Sequence, residues 1–268
     1  MTTNLIEEPV SVEIPENELK DFLELKYRIY NQPSFIESDP ISIPRRFDNR
    51  EDIEIAGFLT ATIAWGQRKT IISNAAKLMN LMGNSPYSFL MDASDKQLQA
   101  ASKFVHRTFN SADTAYFFKA LRSIYLLNGG LKTVFEGLFL AKGNMYGTLA
   151  GFRNLFISFG PETRTGKHVS DVTKGSAAKR LNMYLRWMVR NDRRGVDFGL
   201  WTQIPASALY LPLDLHTGNV SRKLGLLSRK QSDWKAVEEI TSKLREFDPT
   251  DPVKYDFALF GLGIFEKF

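Results

Sequence analysis

The chain has 268 residues, 35 Lys plus Arg, 30 Asp plus Glu, and no cysteine. Without cysteine it carries no disulfide, no thiolate ligand for zinc or an iron–sulfur cluster, and no cysteine nucleophile. Three histidines (His106, His168, His216) leave little for a histidine-rich metal site. Hydrophobic residues make up 43% and charged residues 24%, which is the balance of a globular chain rather than a disordered one.

The net charge of +5 is unevenly spread. Residues 1–60 hold six basic and thirteen acidic groups, a net of −7. Residues 167–232 hold twelve basic and four acidic groups, a net of +8. A local excess of this size points to an anionic partner, nucleic acid first, against the plainer reading of a lysine-rich solvated face. Residues 1–15 are acidic and lack the apolar run of a secretory signal, and no stretch reaches the ~18–20 apolar residues needed to span a membrane. The simplest location is the cytoplasm, with no membrane partner.

In chain order, residues 18–30 place Leu19, Phe22, Leu23, Tyr27 and Tyr30 on one helical face. Residues 32–49 contain Pro33, Pro40 and Pro44 and are expected to be largely extended. Residues 52–65 are mostly apolar and read as a buried helix. Gln67, Arg68 and Lys69 interrupt it, and the helical period resumes over 71–82. Helices follow over 114–127 and 131–140, separated by Asn128-Gly129-Gly130. Residues 159–174, opening on Gly160-Pro161, read as a loop and a domain boundary. Residues 176–189 form an amphipathic helix, 214–224 a helix beginning at an Asp N-cap, and 232–247 another with Ser232 as its cap. Asp251-Pro252 starts the last helix. No hairpin signature appears, so the fold class is all-α.

Four segments share an order that is informative together. Residues 55–67 read IAGFLTATIAWGQ, residues 174–179 read KGSAAK, residues 212–226 read PLDLHTGNVSRKLGL, and residues 257–261 read FALFG. The third resembles the V-D-T-H-V-x-R-V-x-x-R-L-G-L signature of helix-hairpin-helix DNA glycosylases (the HhH-GPD superfamily), through Asp214, His216, Val220, Arg222, Leu224, Gly225 and Leu226. The second resembles that family's L-P-G-V-G-x-K-T-A hairpin, with Gly175 at the first glycine and Lys179 at the nucleophilic lysine. The first resembles the early helix ending L-L-S-A-Q, with Gln67 at the glutamine, and the fourth the L-I-x-x-G of the last core helix.

Two departures stand out. Ala177 replaces the hairpin's second glycine, and Lys179 and Asp214 are 35 residues apart, further than in endonuclease III relatives. The extra segment is about residues 190–205. The longer spacing and the missing cluster cysteines make the chain more similar to the cluster-free, archaeal-type oxoguanine glycosylase branch, or to an uncharacterised bacterial family within the superfamily.

The resemblance implies a two-lobed fold with a central cleft. Residues 52–158 would form a middle bundle. Residues 1–51 would pack on a hairpin and catalytic lobe of residues 159–268. It implies excision of a damaged base, an oxidised purine as first guess, and strand nicking through an imine on Lys179, with Asp214 stabilising the sugar cation. A lysine of ordinary pKa near 10.4 must lose its proton to attack, which burial in an apolar pocket would favour.

Gln67 would fill the gap left by the extruded base. Arg68, Lys69, Gly175, Ser176, Arg186, Arg190, Asn219 and Arg222 would contact DNA. His216 would support the site, and Trp201 is the best candidate for stacking on a base. No cofactor, metal or iron–sulfur cluster is implied. The partner would be double-stranded DNA bearing a damaged base, bound by a monomer acting at the nucleoid. The alternatives are a non-catalytic DNA- or RNA-binding protein of the same fold and an unrelated helical interaction module.

Overall fold

The computed structural model describes residues 14–160 and 164–268. The acidic residues 1–13, and Pro161 of the expected loop start, lie outside them. The fold is all-α: the described residues contain helices, 3-10 turns and two isolated bridges, with no strand.

The helices are α1 Glu16–Tyr30, α2 Ser34–Glu37, α3 Arg50–Thr62, α4 Arg68–Leu81, α5 Pro86–Asp92, α6 Asp95–Ala101 and α7 Ser111–Asn128. They continue as α8 Leu131–Lys142, α9 Met145–Ile157, α10 Lys179–Val189, α11 Leu215–Lys223, α12 Trp234–Phe247 and α13 Tyr255–Ile264. Six of the thirteen starts are set by a short polar side chain that accepts an orphan amide. Asn49 caps α3, Ser94 and Asn110 make capping boxes for α6 and α7, Asn144 caps α9, and Asp214 and Asp233 cap α11 and α12. Gly129 (φ +75°) and Gly143 (φ +69°) terminate α7 and α8 in the left-handed region.

Several expectations are corrected. Residues 32–49 are not extended: α2 and 3-10 turns at Pro40–Ser42 and Pro44–Arg46 fill them. Pro40 and Pro44 occupy first-turn positions, where a missing N–H costs nothing, so they start turns instead of preventing them. Helix α10 begins at Lys179, not at 176, because Gly175 (φ +82°) and Ala178 (φ +48°) are left-handed. The cap of α12 is Asp233, not Ser232, and a 3-10 turn Pro252–Lys254 precedes α13. Helices α5, α6 and α9 were not anticipated, since short helices and the glycine-interrupted α9 show little periodicity.

The core is built on α3, buried from Asp52 to Thr62. Phe58 at its centre meets the rings of Phe117, Phe152, Phe156 and Tyr184. Helix α10 lies across α3 at Gly57, where a Cβ would stand 3.1 Å from Met188 Cε and 3.2 Å from Tyr184 Cε2. The Tyr184 hydroxyl then donates to the Glu54 carbonyl at 3.1 Å. At the other end of the chain α1 packs along α13, and Gly261 leaves room for the Tyr30 ring directly over the α13 backbone. That contact explains the glycine of the FALFG segment. The loop before α10 is tied down by fully buried Asp113, which accepts from Thr165 at 2.7 Å and pairs with His168 (3.2 Å) and Arg164 (3.3 Å).

Three residues expected at a DNA surface are in the core. Trp201 is fully buried; it stacks on Phe135 with centroids 5.1 Å apart and donates Nε1 to Glu54 at 3.0 Å. It cannot stack on a base. Arg186 and Arg190 are 4% and 1% exposed. Arg190 Nε donates to both oxygens of Asp251 (3.0 and 2.8 Å), Nη1 to Asp197 (3.0 Å) and Nη2 to Tyr27 Oη (2.9 Å), with Asp192 2.9 Å away. Arg186 pairs with Asp197 at 3.2 Å and with Asp256. Burial alone would lower the Arg190 pKa, but Asp197 and Asp251 outweigh it and raise it well above the ordinary value. These arginines contact carboxylates, not phosphates. Residues 190–205 pack on α10 through Phe198 N–H to Trp187 O (2.8 Å) and Trp201 N–H to Met188 O (3.0 Å).

Replacing Arg190 with Met leaves Asp197, Asp251 and Asp192 facing one another without their shared cation. Breaking a buried cluster in this way costs about 3–5 kcal/mol. Urea unfolding of Arg190→Met should show a loss in that range; a loss below about 1 kcal/mol, the level of an exposed pair, would show that the cluster does not hold the fold.

Candidate functional site

The turn that leads into α10 is organised by Asp171. Its carboxylate accepts from Thr173 N–H (3.1 Å) and Thr173 Oγ1 (2.6 Å), and its carbonyl from Ser176 N–H (3.1 Å). Gly175 then bends the chain, and its carbonyl accepts from Trp234 N–H at 3.0 Å, which docks this turn on the start of α12. Ala177, at the hairpin's second glycine position, has no positive φ; the left-handed residue is Ala178. A left-handed alanine costs about 1–2 kcal/mol, so surrounding contacts hold it: Ser176 Oγ accepts its N–H at 3.2 Å and Asn182 Nδ2 donates to the Ala177 carbonyl at 3.1 Å. Lys179 follows as the first residue of α10, not one turn inside it.

Asp214 approaches from the other side. Buried Leu213 and Pro212 fix the chain before it, and as N-cap of α11 it accepts Thr217 N–H on Oδ1 at 2.9 Å. Its second oxygen, Oδ2, is left facing Lys179 Nζ at 3.7 Å. Both side chains are partly exposed, 32% for Lys179 and 19% for Asp214. Two residues 35 positions apart in sequence therefore share one mouth.

That mouth is a cleft of ≈1310 Å³. Trp65, Arg68 and Lys69 line it from the turn between α3 and α4; Ser176, Lys179 and Arg180 from the start of α10; Asp214 and His216 from α11. Trp65 is held by two histidines, with His168 stacked at 5.8 Å and His106 edge-on at 5.0 Å. The Arg68 guanidinium lies 4.7 Å from the Phe260 ring centre.

The cleft also reaches two carboxylates that sequence reasoning missed. Asp39, 7% exposed, caps the Pro40–Ser42 turn through Ile41 N–H at 3.0 Å; burial raises its pKa, against Arg186, Arg68 and Lys179. Asp256, 6% exposed, pairs with Arg186; burial and neighbouring Asp214 push it up to about 6, against the pull of Arg186 and Lys179. Lys179 thus meets carboxylates and not the apolar pocket expected from the sequence. No motif position marks Asp39, or Asp256 directly ahead of the FALFG segment.

The remaining expected residues divide. Gln67 is exposed at the N-cap position of α4, with no side-chain cap bond, and stands beside the cleft-lining Gly66 and Arg68. Gly175 borders a neighbouring cavity. Asn219 is exposed on α11, away from the cleft lining. Arg222 is engaged locally, Nε donating to the Arg229 carbonyl (2.9 Å) and Nη2 to the Lys230 carbonyl (2.9 Å) and Ser232 Oγ (3.3 Å). Among the described residues no group of three or more acidic or histidine side chains is placed to hold a metal ion, and no helix is long and apolar enough to cross a membrane.

The raised Asp256 pKa has a definite stability consequence. The folded chain binds that proton more tightly than the unfolded chain, so ionising Asp256 lowers stability as pH rises from its ordinary 3.8 to about 6. Asp256→Asn removes this titration and leaves Arg186 its pair with Asp197. The stability of Asp256→Asn relative to the parent, measured by urea unfolding, should rise steadily between about pH 4 and 6 and then level. A difference that is flat across that interval would contradict the assignment.

No curated protein and no solved structure matches the chain. A family model does, over residues 39–265, which takes in every element from the Asp39 turn to the end of α13. The chain belongs to the family described as protein of unknown function, DUF2400.

Proposed function

We propose that this protein is a DNA base-excision glycosylase with strand-nicking activity, built as a two-lobed helix-hairpin-helix glycosylase-like fold around the cleft. The observation that carries the reading is the 3.7 Å approach of Lys179 Nζ to Asp214 Oδ2 at the mouth of a large cleft. Lysine and aspartate are the pair that the motif order singles out, and joint chemistry needs them in near contact.

The chemistry follows from their placement. The extruded nucleoside enters the cleft after the base leaves the stack, at a cost of a few kcal/mol. Lys179 gives up its ammonium proton to a neighbouring carboxylate, and its nitrogen lone pair forms the bond to C1′ as the C1′–base bond breaks. The departing base takes the bond's electrons and a proton. Asp214, its Oδ1 held by the α11 amide, keeps Oδ2 directed at the developing positive charge. The C1′ adduct opens to an imine, loss of a C2′ proton expels the 3′ phosphate, and water releases Lys179. An oxidised purine is the first base to test. Trp65 presents an aromatic wall to the cleft, and Gln67, Arg68 and Lys69 sit where the remaining duplex would meet the turn between α3 and α4.

Borohydride should trap the protein covalently on duplex DNA carrying an oxidised purine or an abasic site. Lys179→Gln should abolish the adduct, and Asp214→Asn should lower its rate at least tenfold, about 1.4 kcal/mol of transition-state stabilisation. Duplex binding without an adduct on any of a broad lesion panel would instead support the non-catalytic reading.

A further inference from the structure

Helix α10 and its C-cap carry three arginines, Arg186 and Arg190 buried and Arg180 partly buried, and they are treated differently. Arg186 and Arg190 have carboxylates on their guanidinium groups. Arg180 has none within 4.0 Å among the described residues. One of its N–H groups donates to the Thr62 carbonyl, and its guanidinium lies 5.0 Å from the Trp65 ring centre. Burial holds its pKa down to about 10. A desolvated cation without a counter-ion is costly, and four further N–H donors of the fork remain for another acceptor.

Arg180 stands at a junction. It lines the large cleft beside Lys179, and it also lines a second cavity of ≈610 Å³. Ser170 and Ser176 border both. The second cavity is walled by Arg153, Arg164, Lys167 and Lys174 against one carboxylate, Asp171. Arg153 is engaged by Asp171 at 3.2 Å and by the Gly166 and Val169 carbonyls, and Arg164 by Asp113 and the Thr108 carbonyl. Lys167 and Lys174 are exposed, with Lys174 only 4.0 Å from Asp171. Fixed cations thus frame a space whose central guanidinium lacks an anion.

We infer that Arg180, with Lys167 and Lys174, forms a phosphate subsite between the two cavities, occupied by a phosphodiester of the strand whose sugar lies at Lys179. The identity of the strand rests on the proposed glycosylase function; the affinity for phosphate does not. A planar fork offers two parallel donors to a phosphate, which a lysine at this position would not match. Partial burial of Arg180 beside the neutral wall of Trp65 strengthens each such bond.

Two measurements on the full chain test this. In the first, thermal unfolding is followed in chloride and in inorganic phosphate at equal ionic strength. Phosphate should raise the Tm of the parent protein, as any ligand of the folded state does, and leave Arg180→Met unmoved. An equal rise in both would overturn the subsite. In the second, binding to a duplex with an uncleavable abasic analogue is titrated against salt. Arg180→Met should weaken binding about tenfold and reduce the slope of log K against log salt by about one. An unchanged affinity and slope would overturn it.

Phosphate stabilisation of the parent alone, with no duplex binding by either protein, would sink the glycosylase reading and keep the subsite. Should Arg180→Met fail to fold, the exposed pair Lys167→Gln and Lys174→Gln takes its place. That double variant should also lose phosphate stabilisation and salt slope, and its retaining both would overturn the proposal.

Discussion

The structure depends on one buried ionic cluster. Arg186 and Arg190 project from successive turns of α10 into Asp197, Asp251 and Asp256, with Asp192 and Tyr27 completing the shell. Through it α10 is joined to the segment that follows it, to α1 and to the start of α13. Hydrophobic contact alone would leave α10 free to slide by small amounts along α3. Charged hydrogen bonds in a dry interior do not tolerate such slippage, because each displaced partner becomes an unpaired buried charge. Lys179 begins the same helix, so the cluster that seats α10 also sets where its amine lies.

The cleft inherits its electrostatics from this arrangement. Its floor touches the cluster through Asp256 and Arg186, and Asp39 adds a second buried carboxylate from the Pro40–Ser42 turn. Its mouth has the Lys179–Asp214 pair, where the aspartate serves both as helix cap and as the acidic face of the cleft. The wall formed by Trp65 is aromatic and braced by His106 and His168. Acidic floor, basic rim and aromatic wall come from five separated stretches of chain, brought together by the crossing of α3 and α10 and by the packing of α11 and α13.

Much of the local structure was legible in the sequence. Asp214 as an N-cap, the glycine break at Gly129 and the Leu19–Leu23–Tyr27 stripe of α1 rest on short-range geometry, and the structure agrees with each. The convergence of Lys179 and Asp214 was legible only through motif order. Failures came where a residue type has two physical uses. Arginine binds phosphate on a surface and carboxylate in a core, and composition does not distinguish them, so Arg186 and Arg190 were placed at a DNA face. Tryptophan offers a ring to a ligand or to a core, and the buried acceptor Glu54 decided for Trp201. Proline stops a helix in its interior and starts one at its first turn, which separates the expected extended stretch from the turns found at Pro40 and Pro44.

Residue identity and order sufficed for the helical class, the Asp214 cap, the glycine break at Gly129, the absence of cysteine chemistry and, through motif order, the pairing of Lys179 with Asp214. All but the last depend on residue identity and on neighbours within a few positions. Which cations are neutralised, and which keep donors to offer, was settled by folding. The basic excess between residues 167 and 232 is partly cancelled by Asp251 and Asp256, which lie beyond it in sequence and inside it in space. Arg180, one residue from Lys179, has no such partner among the described residues. Charge pairing is settled by distance and desolvation, and both are properties of the folded chain.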